Sequence, residues 1–252
     1  MTPALCFNEV HKSFGRFKVL DGLSMQVRKG GITVIIGRSG SGKSVTLKHA
    51  MGLLDPDSGV ILVGDAEVTA MSASAKRDLR LRFGMVFQNA ALFDSMSVYE
   101  NVAFPLREHT RLREPAIRAR VEEVLASVGL LLAIDKNPGE LSGGMRKRAG
   151  LARALIHTPE ILLYDEPTTG LDPILTAQIE GLIVEMNRAH PELTSLVVSH
   201  DMEGTFRIAE HILMLHDGRI VAQGTPEFFR TTDDPLVRQF VEGRLDGPMA
   251  VE

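Results

Sequence analysis

Between the apolar, β-branched run Ile32-Thr33-Val34-Ile35-Ile36 and the helix-competent run from Val45 to Met51 lies the octapeptide Gly37-Arg38-Ser39-Gly40-Ser41-Gly42-Lys43-Ser44. This order of pieces constrains the fold more than any other part of the chain. A continuous apolar run of this length reads as a strand buried on both faces, which is a strand of a parallel sheet. The loop and helix that follow then lie at the sheet's carboxyl edge. The octapeptide satisfies the pattern G-x-x-x-x-G-K-[ST]. Its glycines let the backbone curl so that several N–H groups converge on one anion, and the helix N-terminus behind them favours the same charge. Lys43 is long enough to reach the outer phosphates, and the Ser44 hydroxyl is a hard oxygen donor suited to Mg²⁺. A nucleoside triphosphate with Mg²⁺ is therefore expected across Gly37, Arg38, Ser39, Gly40, Ser41, Gly42, Lys43 and Ser44.

The remaining chain reads as an α/β core with two additions. From Ala4 to about Met25 the pattern is short strands with a turn at Phe14-Gly15-Arg16. A turn at Asp57-Ser58-Gly59 precedes the strand Val60–Val63, and Gly84–Phe87 is a further short strand. From about 91 to 158 the character is helical: in Glu114 to Val128, residues Ile117, Val121, Val124, Leu125 and Val128 recur at helical spacing. Strand signals return at Ile161–Tyr164 and Ser195–Val198. His211 to Gln223 reads as a hairpin turning at Asp217-Gly218. The organisation is one unit over 1–243, with a helical insertion over about 91–158 and a tail over 244–252.

Two further segments carry chemistry. Ile161 to Tyr164 ends in Asp165-Glu166, two carboxylates at the carboxyl end of a strand, where open α/β sheets bind ligands. Asp165 is placed to hold a Mg²⁺ shell, and Glu166 to orient or deprotonate a water. Leu141-Ser142-Gly143-Gly144-Met145 precedes a helix-prone run, with Ser142 as its N-cap. That helix start is a second anion site. Composition narrows the classes. With 28 basic and 32 acidic residues the 252-residue chain carries a net charge of −4, which argues against a nucleic-acid binder. The lone Cys6 excludes an internal disulfide and fits a reducing compartment. No signal peptide is expected at Met1 to Val10 and no apolar run is long enough to span a bilayer, so a membrane role would come through a partner.

The order Gly37–Ser44, Gln88, Leu141–Met145, Leu162–Glu166, His200 resembles that of the ATP-binding cassette ATPases, over nearly the whole chain. The LSGGM element is the most specific part. The resemblance implies a P-loop NTPase fold of the cassette type, with a mixed β core, an antiparallel β subdomain and a helical insertion. It implies ATP hydrolysis with Mg²⁺ held by Ser44, Gln88 and Asp165, and catalytic roles for Glu166, His200 and Gln88. Gly170-Leu171-Asp172 matches the segment that lies between paired subunits. Phe14 matches the aromatic residue that stacks on adenine, with Phe17 a neighbouring alternative, and either could instead belong to the core. Two copies are expected to pair head to tail, with Ser142, Gly143 and Gly144 of one meeting the nucleotide of the other.

Within the family, the segment Asn89 to Thr110, the continuation Met145-Arg146-Lys147-Arg148 and the tail from Asp234 resemble the MlaF-like lipid-transport ATPases. Leu92, Phe93, Val98 and Phe104 would offer apolar anchors to a partner helix or fill the lobe's own core. The resemblance implies a place on the cytoplasmic face of an inner membrane, with a MlaE-like permease, a MlaD-like periplasmic lipid-binding protein and a MlaB-like STAS-domain protein. The rivals are an importer ATPase for a small solute such as an amino acid, and a cassette protein acting in repair or translation. In the tail, Leu236, Val237, Phe240 and Val241 form an apolar helical face that packs either on its own domain or on a neighbouring ATPase subunit.

Overall fold

The computed structural model describes residues 2–249. The chain opens with β1 (Leu5–Phe14) and β2 (Phe17–Val27), followed by β3 (Ile32–Ile36) and α1 (Lys43–Ala50). Next come β4 (Ser58–Val63), β5 (Ala66–Glu67), α2 (Ala73–Arg80) and β6 (Phe83–Val86). Three helices then follow without an intervening strand: α3 (Val98–His109), α4 (Glu114–Ser127) and α5 (Gly143–Leu155). The second half runs β7 (Ile161–Asp165), α6 (Pro173–Ala189), β8 (Thr194–Ser199), α7 (Met202–Ile208), β9 (His211–His216), β10 (Arg219–Gly224), α8 (Pro226–Thr231) and α9 (Pro235–Glu242).

Two sheets result. One is antiparallel, in the order β2-β1-β4-β5, and the other is mixed, in the order β10-β9-β3-β8-β7-β6. Within the second, β9, β3, β8, β7 and β6 are parallel, and β10 joins the edge as the antiparallel half of the hairpin. The expected short strands before Met25 are in fact two long ones, bulged where their register shifts and turning at Gly15-Arg16. Helices α2, α6 and α7 went unread in the sequence, and α3 was read only as part of the helical insertion.

The faces of β3 show how the layers are held. Ile35 packs with Leu163, Leu196, Leu213, Leu47 of α1 and the inner residues of the antiparallel sheet. Val34 and Ile36 face the other way, into a core shared with the helices. Alternation along one strand thus assigns its neighbours to two cores. Every residue of β3 is buried, so the loop at its end starts from a fixed point.

Helix α3 is started by a capping box. The Glu100 N–H donates to the Ser97 hydroxyl at 3.2 Å, and the Ser97 N–H donates to Glu100 at 2.7 Å. Inside it, Asn101 is fully buried. Its side-chain amide donates to the carbonyls of Phe93, Met96 and Ser97, while its oxygen accepts the Phe93 N–H at 2.8 Å. One side chain therefore fixes the whole loop that precedes the helix. Asn101→Ala leaves these groups unpartnered in the interior and is expected to cost about 3 kcal/mol. In a chain of this size that lowers the melting temperature by about 6–12 °C, which thermal circular dichroism would register. A drop of a degree or less would contradict this account.

The apolar face of α9 packs on its own domain. Val237 is fully buried, and Leu236, Phe240 and Val241 lie against the helical core. Residues beyond it fold back, since buried Gln239 accepts the Met249 N–H at 2.7 Å and donates to the Met249 carbonyl at 3.1 Å. Met1 and residues 250–252, the end of the expected tail, lie outside the described residues. Among the described residues no helix is long and apolar enough to cross a membrane.

Candidate ATP-binding and hydrolysis site

Strand register brings the site together. Ile36 of β3 is level with Ser199 of β8, Val198 of β8 with Asp165 of β7, and Tyr164 of β7 with Val86 of β6. The residues just past these ends are Gly37, His200, Glu166 and, two beyond β6, Gln88. Segments far apart in the chain, as Gly37 and His200 are, thus emerge side by side at the carboxyl edge of one sheet.

The loop closes tightly around its lysine. Gly42, the residue before α1, has φ of +103°, and a Cβ there would press on Leu20 and the Val19 carbonyl. The rim residues Arg38, Ser39 and Gly40 are exposed, while Gly37, Gly42 and Lys43 are buried. The Lys43 ammonium donates to the Gly37 and Arg38 carbonyls, each at 2.8 Å. Burial holds this ammonium below the ordinary lysine range, against the opposing pull of Glu166 and Asp165. The Ser41 hydroxyl is buried and has no hydrogen-bond partner among the described residues, a free donor inside the cradle.

The Ser44 hydroxyl donates to Asp165 at 2.8 Å. Burial raises the Asp165 carboxyl above the usual carboxylate range, Ser44 opposes that shift, and the neighbouring Glu166 adds to it. A hydroxyl and a carboxylate facing each other beside a phosphate cradle make the hard-oxygen pair that Mg²⁺ accepts when phosphates complete its shell. Among the described residues there is no cluster of three or more His, Cys, Asp or Glu side chains that could hold a metal ion.

Glu166 sits in the left-handed region, with φ of +48°. A non-glycine residue rarely adopts that conformation, and such strain is retained where the surroundings enforce it. Here the Glu166 N–H donates to the Val198 carbonyl at 3.0 Å and the Thr169 hydroxyl donates to the Glu166 carboxylate at 3.0 Å. His200 Nδ1 lies 3.4 Å from the other carboxylate oxygen. Thr169 went unread in the sequence; its only signal was its place three residues after Glu166. Gln88 is exposed, and its carbonyl accepts a hydrogen bond from the Lys147 ammonium.

Other expected residues lie elsewhere. Ser142 is the N-cap of α5, accepting the Met145 N–H at 3.3 Å, and it is exposed, with Gly144 buried against Leu175. Asp172 caps α6. Phe14 and Phe17 pair across the tip of the first hairpin and are 46% and 81% exposed, so neither is a core residue. Of the expected anchors, Val98 is fully buried in α3, whereas Phe93 is 44% exposed and meets Phe104 in a tilted ring contact, centroids 5.1 Å apart. These two rings line a groove with Leu81, Phe83, Phe87 and Pro105.

A phosphate cradle at the end of a central parallel strand, facing a Ser–Asp oxygen pair and a strained carboxylate, defines a nucleoside-triphosphate-hydrolysing fold. The ABC transporter family description matches residues 20–169, and the chain belongs to that family. It is 44% identical over 244 residues to the probable ribonucleotide transport ATP-binding protein mkl of Mycobacterium tuberculosis, covering 97% of this chain and 68% of that protein. It is 45% identical over 231 residues to the intermembrane phospholipid transport system ATP-binding protein MlaF of Haemophilus influenzae, covering 92% of this chain and 87% of that protein. Among solved structures, it is similar to the dimeric bacterial ABC transporter cassette MJ0796 (TM-score 0.80, 29% identity, 88% of this chain and 98% of that one). The chain is an ATP-binding cassette ATPase.

Proposed function

We propose that this chain is the ATP-hydrolysing subunit of a transporter that moves phospholipids between two membranes. The observation that carries this is the match to the MlaF relative over nearly all of that protein's length. The mkl relative, matched at equal identity but extending further than this chain, supports a second reading in which the cargo is a ribonucleotide-like solute.

In the proposed cycle the loop 37–44 wraps the phosphates, and Lys43 leaves its two carbonyls to meet them. Ser44 and Asp165, with Gln88, would hold a Mg²⁺ ion, which when bound neutralises phosphate charge. Glu166 orients the attacking water and accepts its proton, with His200 beside it to contact the outer phosphate. Phe14 stacks on the adenine from the hairpin tip; its exposed ring is free to do so, and Phe17 offers the same chemistry one strand away. Exposed Ser142, with Gly143 and Gly144, opens a helix N-terminus, which suits a role on the nucleotide of a second copy, as in a head-to-tail homodimer.

One ATPase unit over 1–243 with a helical lobe over about 91–158 follows from the same reading. The groove of Phe87, Phe93 and Phe104 then receives a helix of a MlaE-like permease. Arg77 and Arg80 on its rim favour acidic side chains on that helix. The chain would lie on the cytoplasmic face of the inner membrane, in a complex with MlaD-like and MlaB-like proteins. Purifying the chain with its membrane partners and analysing the bound small molecules tests the proposal. Phospholipid and a polytopic permease are expected, and ATP turnover should move labelled lipid. A complex that binds ribonucleotides and carries no lipid would favour the second reading.

A further inference from the structure

Helix α5 carries a stripe of residues at helical spacing, Lys147, Gly150 and Arg153, along the segment that follows β6. The Lys147 ammonium donates to the Gln88 carbonyl. A Cβ on Gly150 would lie 3.1 Å from the Ala90 methyl, so helix and loop are in close contact. The Arg153 guanidinium donates to the Ala90 and Ala91 carbonyls at 2.8 and 2.7 Å. Ala90 and Ala91 both have positive φ, +57° and +48°, a conformation that alanine rarely adopts unless it is held. Lys147 is only 7% exposed. Burial draws its ammonium below the ordinary lysine range, and the charge of Glu166 opposes this, so Lys147 also lies within electrostatic reach of the strained carboxylate.

We propose that Lys147 is a positioning residue that ties the helix beginning at Ser142 to the main chain of Gln88. The two segments then move as one body between the nucleotide of a second copy and the groove. This rests on the reading of Gln88 and Ser142 as nucleotide-contacting residues. The buried cation suits the task because a carbonyl accepts a charge-assisted bond strongly.

The test measures ATP turnover by the 252-residue chain in its native complex, alongside affinity for a non-hydrolysable ATP analogue. Lys147→Met, which keeps the length and removes the charge and the donor, is expected to lower turnover about tenfold, the equivalent of one lost hydrogen bond from a charged group. Analogue affinity should change less than about twofold, because the phosphate cradle is not touched. Lys147→Arg should restore most of the turnover. Combined with Gln88→Ala, Lys147→Met should add little further loss, since both act through one element. Should Lys147→Met not fold, Lys147→Leu and Lys147→Arg carry the same comparison. Full turnover in the neutral variants, losses that multiply with Gln88→Ala, or a parallel loss of analogue affinity would each overturn the proposal. Unchanged turnover in Gln88→Ala alone would instead overturn the reading of Gln88 on which it rests.

Discussion

Glu166→Gln should bind ATP as the parent does and almost cease to hydrolyse it. The substitution is nearly isosteric, and the local geometry tolerates it. The Glu166 N–H still bonds the Val198 carbonyl, and the glutamine oxygen can still accept from the Thr169 hydroxyl. What is lost is the ability to take a proton from water. General bases contribute about 10²–10⁴-fold to turnover, and a loss of that order is expected in the turnover number, with analogue affinity little changed. Lys43, Ser44 and Asp165, which meet the phosphates and their cation in the proposed cycle, are untouched. A second consequence follows from the shared site. If two copies close around ATP and open after hydrolysis, the variant should accumulate as a dimer when ATP is present, which light scattering would read as a doubled mass. Steady-state turnover near the parent's would remove Glu166 from its role.

The parts of this site that were legible in the sequence are the local ones. The loop 37–44 and the Asp165-Glu166 pair each carry their chemistry within eight residues, and the strands before them are apolar runs that periodicity can find. Ser142 as an N-cap was legible for the same reason. What the sequence did not expose was long-range register. Nothing local says that β8 lies between β3 and β7, which is what sets His200 beside Glu166. The bond from Lys147 to the Gln88 carbonyl spans 59 positions, and no spacing rule connects them. Helix α3 is a different case. Its capping box, Ser97-Val98-Tyr99-Glu100, and the apolar residues Val98, Val102 and Leu106 at helical spacing were present in the sequence but went unread. Val98, for which a partner-facing and a core place were both open, is a core residue, while Phe93 and Phe104 line the groove. The first hairpin was mistaken for short strands because its bulges interrupt the alternation.

Lys43→Met is expected to separate the stability of the empty protein from its affinity for ATP. In the ligand-free chain the ammonium is buried and rests on two carbonyls. Its affinity for a proton is lower than the 10.5 of a free lysine. Between that lowered value and 10.5 the unfolded chain holds more protons than the folded one, so stability rises with pH across this window. At neutral pH, below the window, the folded chain carries the full cost of burying the charge. Methionine has similar length and no charge, so the variant is relieved of that cost, which offsets the loss of two bonds, one to the buried Gly37 carbonyl and one to the Arg38 carbonyl on the rim; its ligand-free melting temperature should stay close to the parent's. ATP binding is another matter. Removing one partner of a desolvated charge pair costs about 3 kcal/mol, on the order of 10²-fold in affinity. At an ATP concentration of about 100 times the parent's Kd, binding stabilises the parent by about 2.7 kcal/mol, raising its melting temperature by about 5–10 °C in a chain of this size. For the variant the same concentration is roughly one Kd, and the shift should fall to about 1 °C. A variant that melts far below the parent without ATP would show Lys43 to be structural. One that keeps the full ATP-induced shift would show that the phosphates are held without it. The proposed cycle excludes both results, because it assigns the buried ammonium to the phosphates and only its resting place to the carbonyls.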